Sequence, residues 1–515
     1  MMSLAMRSLR GAANRLSTRS YSYAPLSAGP SPESPTSTDS ATKTAFSARI
    51  YALLFFLLPS FVQTRIRPGT AKPHRLRPTS WLDGLRGVAS LIVFFCHYTE
   101  GTQKSYTLTY GVHFDGDEVS SSPLQLPFIR VLYAGRPMVH IFFIISGFVL
   151  SYKPLRQLRS RDYDGLQQTL SSSVFRRGFR LFLPTTVSTF LGMLTIYYGI
   201  QRGKAPLPSL WEQFVDWCGS VHHMITLSWV WDALKAPKYD VHLWTIPVEM
   251  SFSMFLFVVI TGLSRVKTFL RMAILVGIMV YCITSGHWAG LEFLAGMGLA
   301  EIQLIQDARE LRNADCPLNK EAEDVEEGTF SVPAPSSSQI RYIGRRLLQA
   351  VLSVNLVFGL YVAGWPNEKA EVSPGFISLY RNTMEPYLSR GDFWPSFPWF
   401  SIGAVQIVAA LHQIEPLQRV FTTAPVQYLA NISYAIYLCH GPVMKSIHHR
   451  WMPHIWVLVG GPSEAGMWGR MLVWLLGLVA MAVPVIWVSD LFWRMVDVKS
   501  VELARRIERF CLLDN

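Results

Sequence analysis

The chain has 515 residues and a formal net charge of +12, and half of its residues are apolar while only 16% are charged. Soluble domains average about 25% charged residues. Apolar stretches near membrane-spanning length recur along most of this chain, which argues against a purely soluble protein. The positive charge does not indicate nucleic-acid binding, because Lys and Arg accumulate in the cytosolic loops of membrane proteins.

The six cysteines stand singly in the sequence, and no Cys/His metal spacing occurs. Neither a metal site nor a disulfide framework is therefore predicted. Cys96 and Cys439 each precede a histidine. Adjacent helical residues point about 100° apart, so a catalytic Cys–His pair is not expected.

The first 80 residues are predicted to form a disordered tail with a short interfacial helix. Residues 1–45 are rich in Ser, Thr, Arg and Pro and cannot bury enough apolar surface to fold alone. The first 32 residues carry several Arg and no acid, so a mitochondrial presequence is the alternative to a cytosolic tail. Ile50–Val62 is apolar but short for a span, and basic residues flank it, which favours a helix lying in the membrane interface.

Residues 81–497 are predicted to form an all-α, polytopic transmembrane helical bundle with about ten spans. The spans are expected to start near Trp81, Val131, Leu183, Pro247, Leu270, His287, Leu347, Trp394, Val426 and Met471. Gly, Pro or Ser interrupts several of them, which is tolerated where neighbouring helices satisfy the backbone.

Loop charges predict the orientation of the bundle. Segment 64–80 has five basic residues and no acid, and loop 152–180 has seven basic and two acidic residues. Loop 99–130 between them has four acidic and two basic residues. The positive-inside rule then places the N-terminus, loop 152–180 and the C-terminal tail 498–515 in the cytosol. Residues 306–346 are acidic and rich in Pro and Ser, which predicts a disordered cytosolic insertion.

The segment WLDGLRGVASLIVFFCH at the start of the first span carries Arg86 and His97, eleven residues apart. Eleven helical steps bring the two side chains to within roughly 20° of one direction, about 16 Å apart along the axis. Ionisable residues inside a span usually face a bundle interior or a cavity. A stripe lining a tunnel is one interpretation, and two solvated residues at opposite interfaces is the other.

The segment FFIISGF contains Ser146 beside Gly147. Small residues in an aromatic span favour close helix packing, and exposure of Ser146 to a ligand is the alternative.

The segment RRGFRLFLP places Arg176, Arg177 and Arg180 at the predicted cytosolic entrance of the next span. Arg177 and Arg180 are three residues apart and share a helix face. Guanidinium groups bind phosphate in a bidentate manner, so acyl-CoA phosphates could dock here. Anchoring by the positive-inside rule and binding of anionic lipid are the alternatives.

Two further ionisable residues are predicted near the outer side. Glu249, in LWTIPVE, is expected at the depth of His97, where it could orient the imidazole; a structural pair with an Arg is the alternative. His440, in ISYAIYLCHGP, is kept as a possible second site, although a lone histidine at a span end is more often structural.

These stretches together resemble the acyltransferase-3 family, in the form common among its fungal members, from about Trp81 to Glu508. The resemblance implies that an Arg-x10-His pair, here Arg86 and His97, is essential. It also implies that an RxxR motif, here Arg177 and Arg180, handles acyl-CoA.

We therefore predict an integral membrane O-acyltransferase that moves an acyl group, with acetyl favoured by the resemblance, from cytosolic acyl-CoA to a hydroxyl of a sugar, lipid or secondary metabolite. His97 is predicted to act as general base, with Arg86 in the tunnel and Glu249 setting the imidazole tautomer. The residues predicted to contact acyl-CoA are Arg176, Arg177, Arg180 and Ser146.

A polytopic transporter that uses the intramembrane ionisable residues is the alternative function. Acyl-CoA is expected as a co-substrate, with no permanently bound cofactor. The expected partners are acyl-CoA, the acceptor and membrane lipids, and no nucleic acid. The endoplasmic reticulum or plasma membrane is the expected location, with mitochondria as the alternative.

Overall fold

The computed structural model describes residues 38–68, 76–115, 121–226, 236–314 and 337–512. The chain divides into two units, Met1–Arg77 and Pro78–Asn515. Residues 1–37 of the predicted N-terminal tail and the middle of the predicted insertion, 315–336, lie outside the described residues. Residues 38–45, predicted to be disordered, are helical.

The described part of the first unit consists of helices α1 (Thr38–Leu57) and α2 (Ser60–Ile66). The single interfacial helix expected over Ile50–Val62 is therefore two helices, and Pro59 stands directly before the second. Proline has no N–H to donate and clashes with the preceding turn, so the helix cannot run through it. Large apolar side chains of α1, among them Leu53, are exposed, as an interfacial helix requires.

The second unit is a helical bundle, and the described residues contain no strand. Its main helices are α3 (Ser80–Thr102), α4 (Gly135–Arg159), α5 (Tyr163–Tyr197), α6 (Leu210–Ile225), α7 (Thr245–Gly262), α8 (Thr268–Thr284), α9 (Trp288–Ala314), α10 (Ser337–Ala363), α11 (Phe397–Gln413), α12 (Ala424–Val457), α13 (Met467–Phe492) and α14 (Val498–Cys511). The connections contain the short helices Pro127–Arg130, Ile377–Arg381 and Glu415–Phe421 and several 3-10 turns.

The all-α prediction is confirmed, and a helix covers or closely follows each of the ten predicted span starts. Within the described residues, seven segments are long and apolar enough to cross a membrane. They are Gly135–Arg159, Tyr163–Tyr197, Val241–Gly262, Trp288–Arg312, Arg346–Ala363, Trp394–Gln413 and Met467–Cys511. The other three predicted spans correspond to α3, α8 and α12; α8 has only 17 residues, and α3 and α12 carry ionisable residues of the candidate site.

Two predicted flexible regions differ in the structure. Helix α9 extends to Ala314 and helix α10 begins at Ser337, so both edges of the predicted insertion 306–346 are helical. The predicted tail 498–515 contains α14, which continues α13 through a π-helical turn at Trp493–Asp497. Ser500 and Ala504, four residues apart, are buried on one face of α14, so packing on that face stabilises the helix.

Glycines allow the helices around the site to approach closely. A Cβ atom at Gly147 of α4 would overlap the carbonyl oxygen of Phe293 in α9, and one at Gly296 would overlap that of Ile144. A Cβ at Gly87 of α3 would overlap the backbone of α12 at Ala430. Small residues permit such contacts between membrane helices. The packing interpretation of the Ser146–Gly147 pair is therefore confirmed for its glycine.

Replacing Gly147 by Ala should lower the melting temperature of the purified protein. The added methyl group has no space at the α4–α9 crossing, and overpacking costs about 1–3 kcal/mol. Gly277→Ala on α8 is the matched control, because a Cβ there meets nothing within 4 Å. Equal melting temperatures for the two variants would contradict this account of the crossing.

Candidate active site

A cavity of about 200 Å³ lies among α3, α4, α5, α7 and α12. Its apolar wall includes Phe142, Phe143 and Leu181. Three guanidinium groups and two carboxylates also line it, which leaves one net positive charge: Arg86, Arg177, Arg180, Glu249 and Asp497. The bundle therefore holds a partly charged cavity to which all five of the quoted motifs contribute residues.

Arg177 is buried on the cavity wall and forms an ion pair with Glu249. Its Nε atom also donates a hydrogen bond to Ser253 Oγ at 3.0 Å. The pairing of Glu249 with an Arg was the alternative left open by the sequence, and the expected contact of Glu249 with His97 is not found. Glu249 lies four residues, or about 6 Å of helix rise, after Thr245, where its helix begins, and its carboxylate contacts Arg177 instead.

Arg86 faces α12 from the opposite wall. Its Nε atom donates to Ser433 Oγ at 3.1 Å, and it forms an ion pair with Asp83 at 3.2 Å. His97, on the same helix, contacts His440 of α12. Both residues therefore face α12, and the predicted common direction of Arg86 and His97 is confirmed.

Arg180 is the cavity arginine without an ion pair in the described part of the chain. Asp497 interacts electrostatically with it and with Arg86 across the cavity. Arg177 and Arg180 both line the cavity, as their spacing predicted. Because Arg177 is already paired with Glu249, Arg180 is the group with capacity to bind an anion.

The two remaining predicted acyl-CoA contacts are placed differently. Ser146 lines the cavity, while its neighbour Gly147 packs on α9. Arg176 lies outside the set of cavity-lining residues and forms an ion pair with Glu508 of α14 at 3.2 Å. Adjacent residues on a helix point about 100° apart, so Arg176 cannot share the face of Arg177, and the structure does not support its predicted acyl-CoA contact.

Three imidazole rings meet where α3, α12 and the 3-10 turn Val241–Trp244 come together. The ring of His97 lies 3.8 Å from that of His242 and 5.3 Å from that of His440, between centroids. The rings of His242 and His440 are 5.4 Å apart. The predicted base and the predicted second site therefore belong to one cluster.

The carboxylate that contacts His97 belongs to Glu100, on the same helix. The Nδ1 atom of His97 lies 2.8 Å from Glu100 Oε2, and Asn367 donates a hydrogen bond of 2.8 Å to Glu100 Oε1. A carboxylate on Nδ1 holds the proton there and leaves the Nε2 lone pair available. The sequence contained this signal, because residues three apart on a helix share a face, but the prediction considered only Glu249.

His242 was missed because it stands just before the segment LWTIPVE, in the 3-10 turn Val241–Trp244. Asp240 caps this turn through its side chain. Asp240 lies just before the span, and burial raises the pKa of its carboxyl to about 6.

Tyr437 connects the cavity with the histidine cluster. It lines the cavity and donates a hydrogen bond of 2.6 Å to the His242 carbonyl oxygen. Its ring lies 6.0 Å from that of His440. Tyr437 therefore stands between the cavity and the imidazoles, none of which belongs to the cavity lining.

The three histidines also provide ring nitrogens within 4.8 Å of one another, a set that could hold a metal ion. The rings of His97 and His242 lie closer together than rings that spread outward from one tetrahedral ion. The expectation that the site works without a metal stays a prediction.

The comparisons with known proteins decide which family the chain represents. The sequence model of the acyltransferase-3 family, described as an acyltransferase domain, matches residues 79–494, which is most of the chain. The chain belongs to the acyltransferase-3 family. It is 31% identical over 485 residues to O-acetyltransferase PaAT-1 of Phomopsis amygdali, covering 88% of each chain.

Two further acyltransferases are similar to the chain. Acyltransferase clz18 of Cochliobolus lunatus is 25% identical over 441 residues, covering 75% of this chain and 87% of its own. Acyltransferase R4 of a Phoma species is 25% identical over 420 residues, covering 72% and 83%. No solved structure matches the chain. The chain is an O-acyltransferase embedded in a membrane by several helices; the compartment stays a prediction.

Removal of Arg177 should destabilise the protein more than removal of both partners of its ion pair. Arg177→Met leaves Glu249 buried without a cation, and breaking a buried pair costs about 3–5 kcal/mol. Arg177→Met/Glu249→Leu should recover part of the melting temperature. Lys499→Met, which breaks an exposed pair with Glu502, is the control and should change it little. A double variant less stable than Arg177→Met would contradict the pairing.

Proposed function

We propose that the protein transfers an acyl group, with acetyl favoured, from acyl-CoA to a hydroxyl group at His97. The observation that carries this proposal is one cavity with Arg180, which forms no ion pair within the described residues, and with the His97–Glu100 pair beyond Tyr437. The donor then lies on the side of the arginines and the acceptor on the side of the imidazoles. The name of the Phomopsis amygdali relative supports acetyl as the transferred group.

The donor binds with its phosphates at Arg180 and its acyl arm along the cavity. The apolar wall formed by Phe142 and Phe143 suits a thin chain. Arg177 stays paired with Glu249 and shapes the wall, and Ser146 lies beside the arm. Charge-assisted hydrogen bonds from guanidinium to phosphate are the stronger kind, so Arg180 contributes most to donor affinity.

His97 acts as general base in the transfer. The acceptor oxygen forms a bond with the thioester carbonyl carbon, and its proton moves to His97 Nε2. Glu100 holds the Nδ1 proton and stabilises the imidazolium that forms. The carbon–sulfur bond then breaks, and the proton passes from His97 to the CoA sulfur, which leaves as the thiol. Atoms and charges balance without any further reactant.

Arg180→Ala should abolish the thermal stabilisation of purified protein by acetyl-CoA. Loss of a charge-assisted contact raises Kd by about tenfold or more. Arg176→Ala is the matched control, since its partner is Glu508, away from the cavity. Stabilisation that survives Arg180→Ala would refute the donor position. If acetyl-CoA and longer acyl-CoAs leave even the wild type unchanged, the transporter alternative gains weight.

Glu100→Gln should lower the kcat for release of free CoA from acetyl-CoA at least about tenfold, because the imidazolium loses its counter-charge. The KM for acetyl-CoA should change little, since Glu100 lies outside the cavity wall. Glu368→Gln is the control, because Glu368 forms an exposed ion pair with Lys104. A Glu100→Gln enzyme with wild-type kcat, or a His97→Ala enzyme that retains activity, would contradict the mechanism.

A further inference from the structure

The Nε2 atom of His440 is a buried hydrogen-bond acceptor that has no partner among the described residues. The side chain is fully buried. Its Nδ1 atom lies 3.0 Å from the carbonyl oxygen of Ile436. A carbonyl oxygen only accepts, so Nδ1 carries the proton and Nε2 carries a lone pair. Buried polar atoms are normally satisfied, and the missing partner must therefore be a donor.

The imidazole of His97 offers a second acceptor of the same kind nearby. Glu100 engages Nδ1 of His97 and leaves Nε2 with its lone pair. The rings of His97 and His440 are 5.3 Å apart and within 11° of parallel. One ring nitrogen from each lies within 4.8 Å of the other, which is close enough for one small molecule to contact both.

The surroundings of these nitrogens add another acceptor. Asp240 Oδ2 is buried and has no hydrogen-bond partner in the described part of the chain. A Cβ atom at Gly441 would lie 2.9 Å from this oxygen and 3.1 Å from His242 Cδ2, so the carboxylate lies against the backbone next to His440. The cluster thus holds acceptor atoms on His440, His97 and Asp240, and such a set matches a molecule with several O–H groups.

We propose that His440 binds a second hydroxyl of the acceptor, on the carbon next to the hydroxyl that His97 deprotonates. The acceptor class is then a vicinal diol, and a molecule with an isolated hydroxyl is a poor acceptor. This inference rests on the proposed function at His97. His440 contacts the substrate and fixes its orientation, while the proton transfer remains at His97.

The proposal is tested with 1,2-octanediol and 1,8-octanediol, which have the same chain and the same number of hydroxyls. Full-length protein in lipid nanodiscs is incubated with acetyl-CoA, and the monoacetate is measured. We expect kcat/KM to be up to about tenfold higher for the 1,2-diol, because one neutral hydrogen bond is worth up to about that factor.

Three variants separate recognition from folding. His440→Phe keeps an aromatic ring without an acceptor and should remove the preference for the 1,2-diol. His440→Gln places an amide oxygen near the position of Nε2 and should keep part of it. His412→Phe is the control, because His412 is another buried histidine whose Nε2 has no hydrogen-bond partner within the described residues but lies outside the cavity and the cluster. It should leave the preference unchanged.

Equal kcat/KM for the two diols in the wild type overturns the proposal, as does a preference that survives His440→Phe. If the wild type acetylates neither diol, thermal stabilisation by the same diols decides. Greater stabilisation by the 1,2-diol that is lost in His440→Phe supports the proposal, and equal stabilisation refutes it.

Two other results have distinct meanings. Stoichiometric zinc in the wild type that His440→Phe loses would make Nε2 a metal ligand and overturn the proposal. Failure of the proposed function itself is recognised separately, because acetyl-CoA would then neither stabilise the wild type nor release CoA, whichever diol is present.

Discussion

Ionisable side chains that leave water need partners, and this requirement shapes the bundle of the second unit. Buried Glu301 accepts hydrogen bonds from Arg159 and Arg271. Buried Asp490 accepts from Tyr428 and Arg494. Glu301 thereby joins α9 to α4 and α8, and Asp490 joins α13 to α12. Most of these buried charged groups therefore take part in pairs that hold the fold. Buried polar groups without a partner among the described residues are the candidates for binding a ligand.

The same requirement separates two kinds of residue within the family motifs. Arg177 and Glu249 come from different motifs, yet they neutralise each other on the cavity wall. Arg180, three residues beyond Arg177, has no such ion pair in the described chain. A motif that resembles one phosphate-binding unit thus contains a structural arginine, Arg177, and a second arginine that forms no ion pair in the described chain. The distinction depends on which helix lies opposite, since α7 brings Glu249 to Arg177.

A third buried cluster shows how pairing and packing combine. His140, Glu292 and Ser401 meet between α4, α9 and α11, and all three are buried. Trp288 and Phe397 pack against the histidine ring. These helices also meet through the glycine contacts of α4 and α9. This side of the bundle is accordingly closely packed, through both buried hydrogen bonds and aromatic contacts.

The sequence by itself determined the helical class, the approximate span positions and the common direction of Arg86 and His97, because these follow from hydropathy and the period of one helix. It also contained the His97–Glu100 pair, which lies within a single turn. Only the tertiary structure decided that Glu249 pairs with Arg177, that Arg176 faces α14, and that His242 and His440 join His97. Those contacts depend on the relative depth and rotation of separate helices, which side-chain packing and buried charge pairs fix.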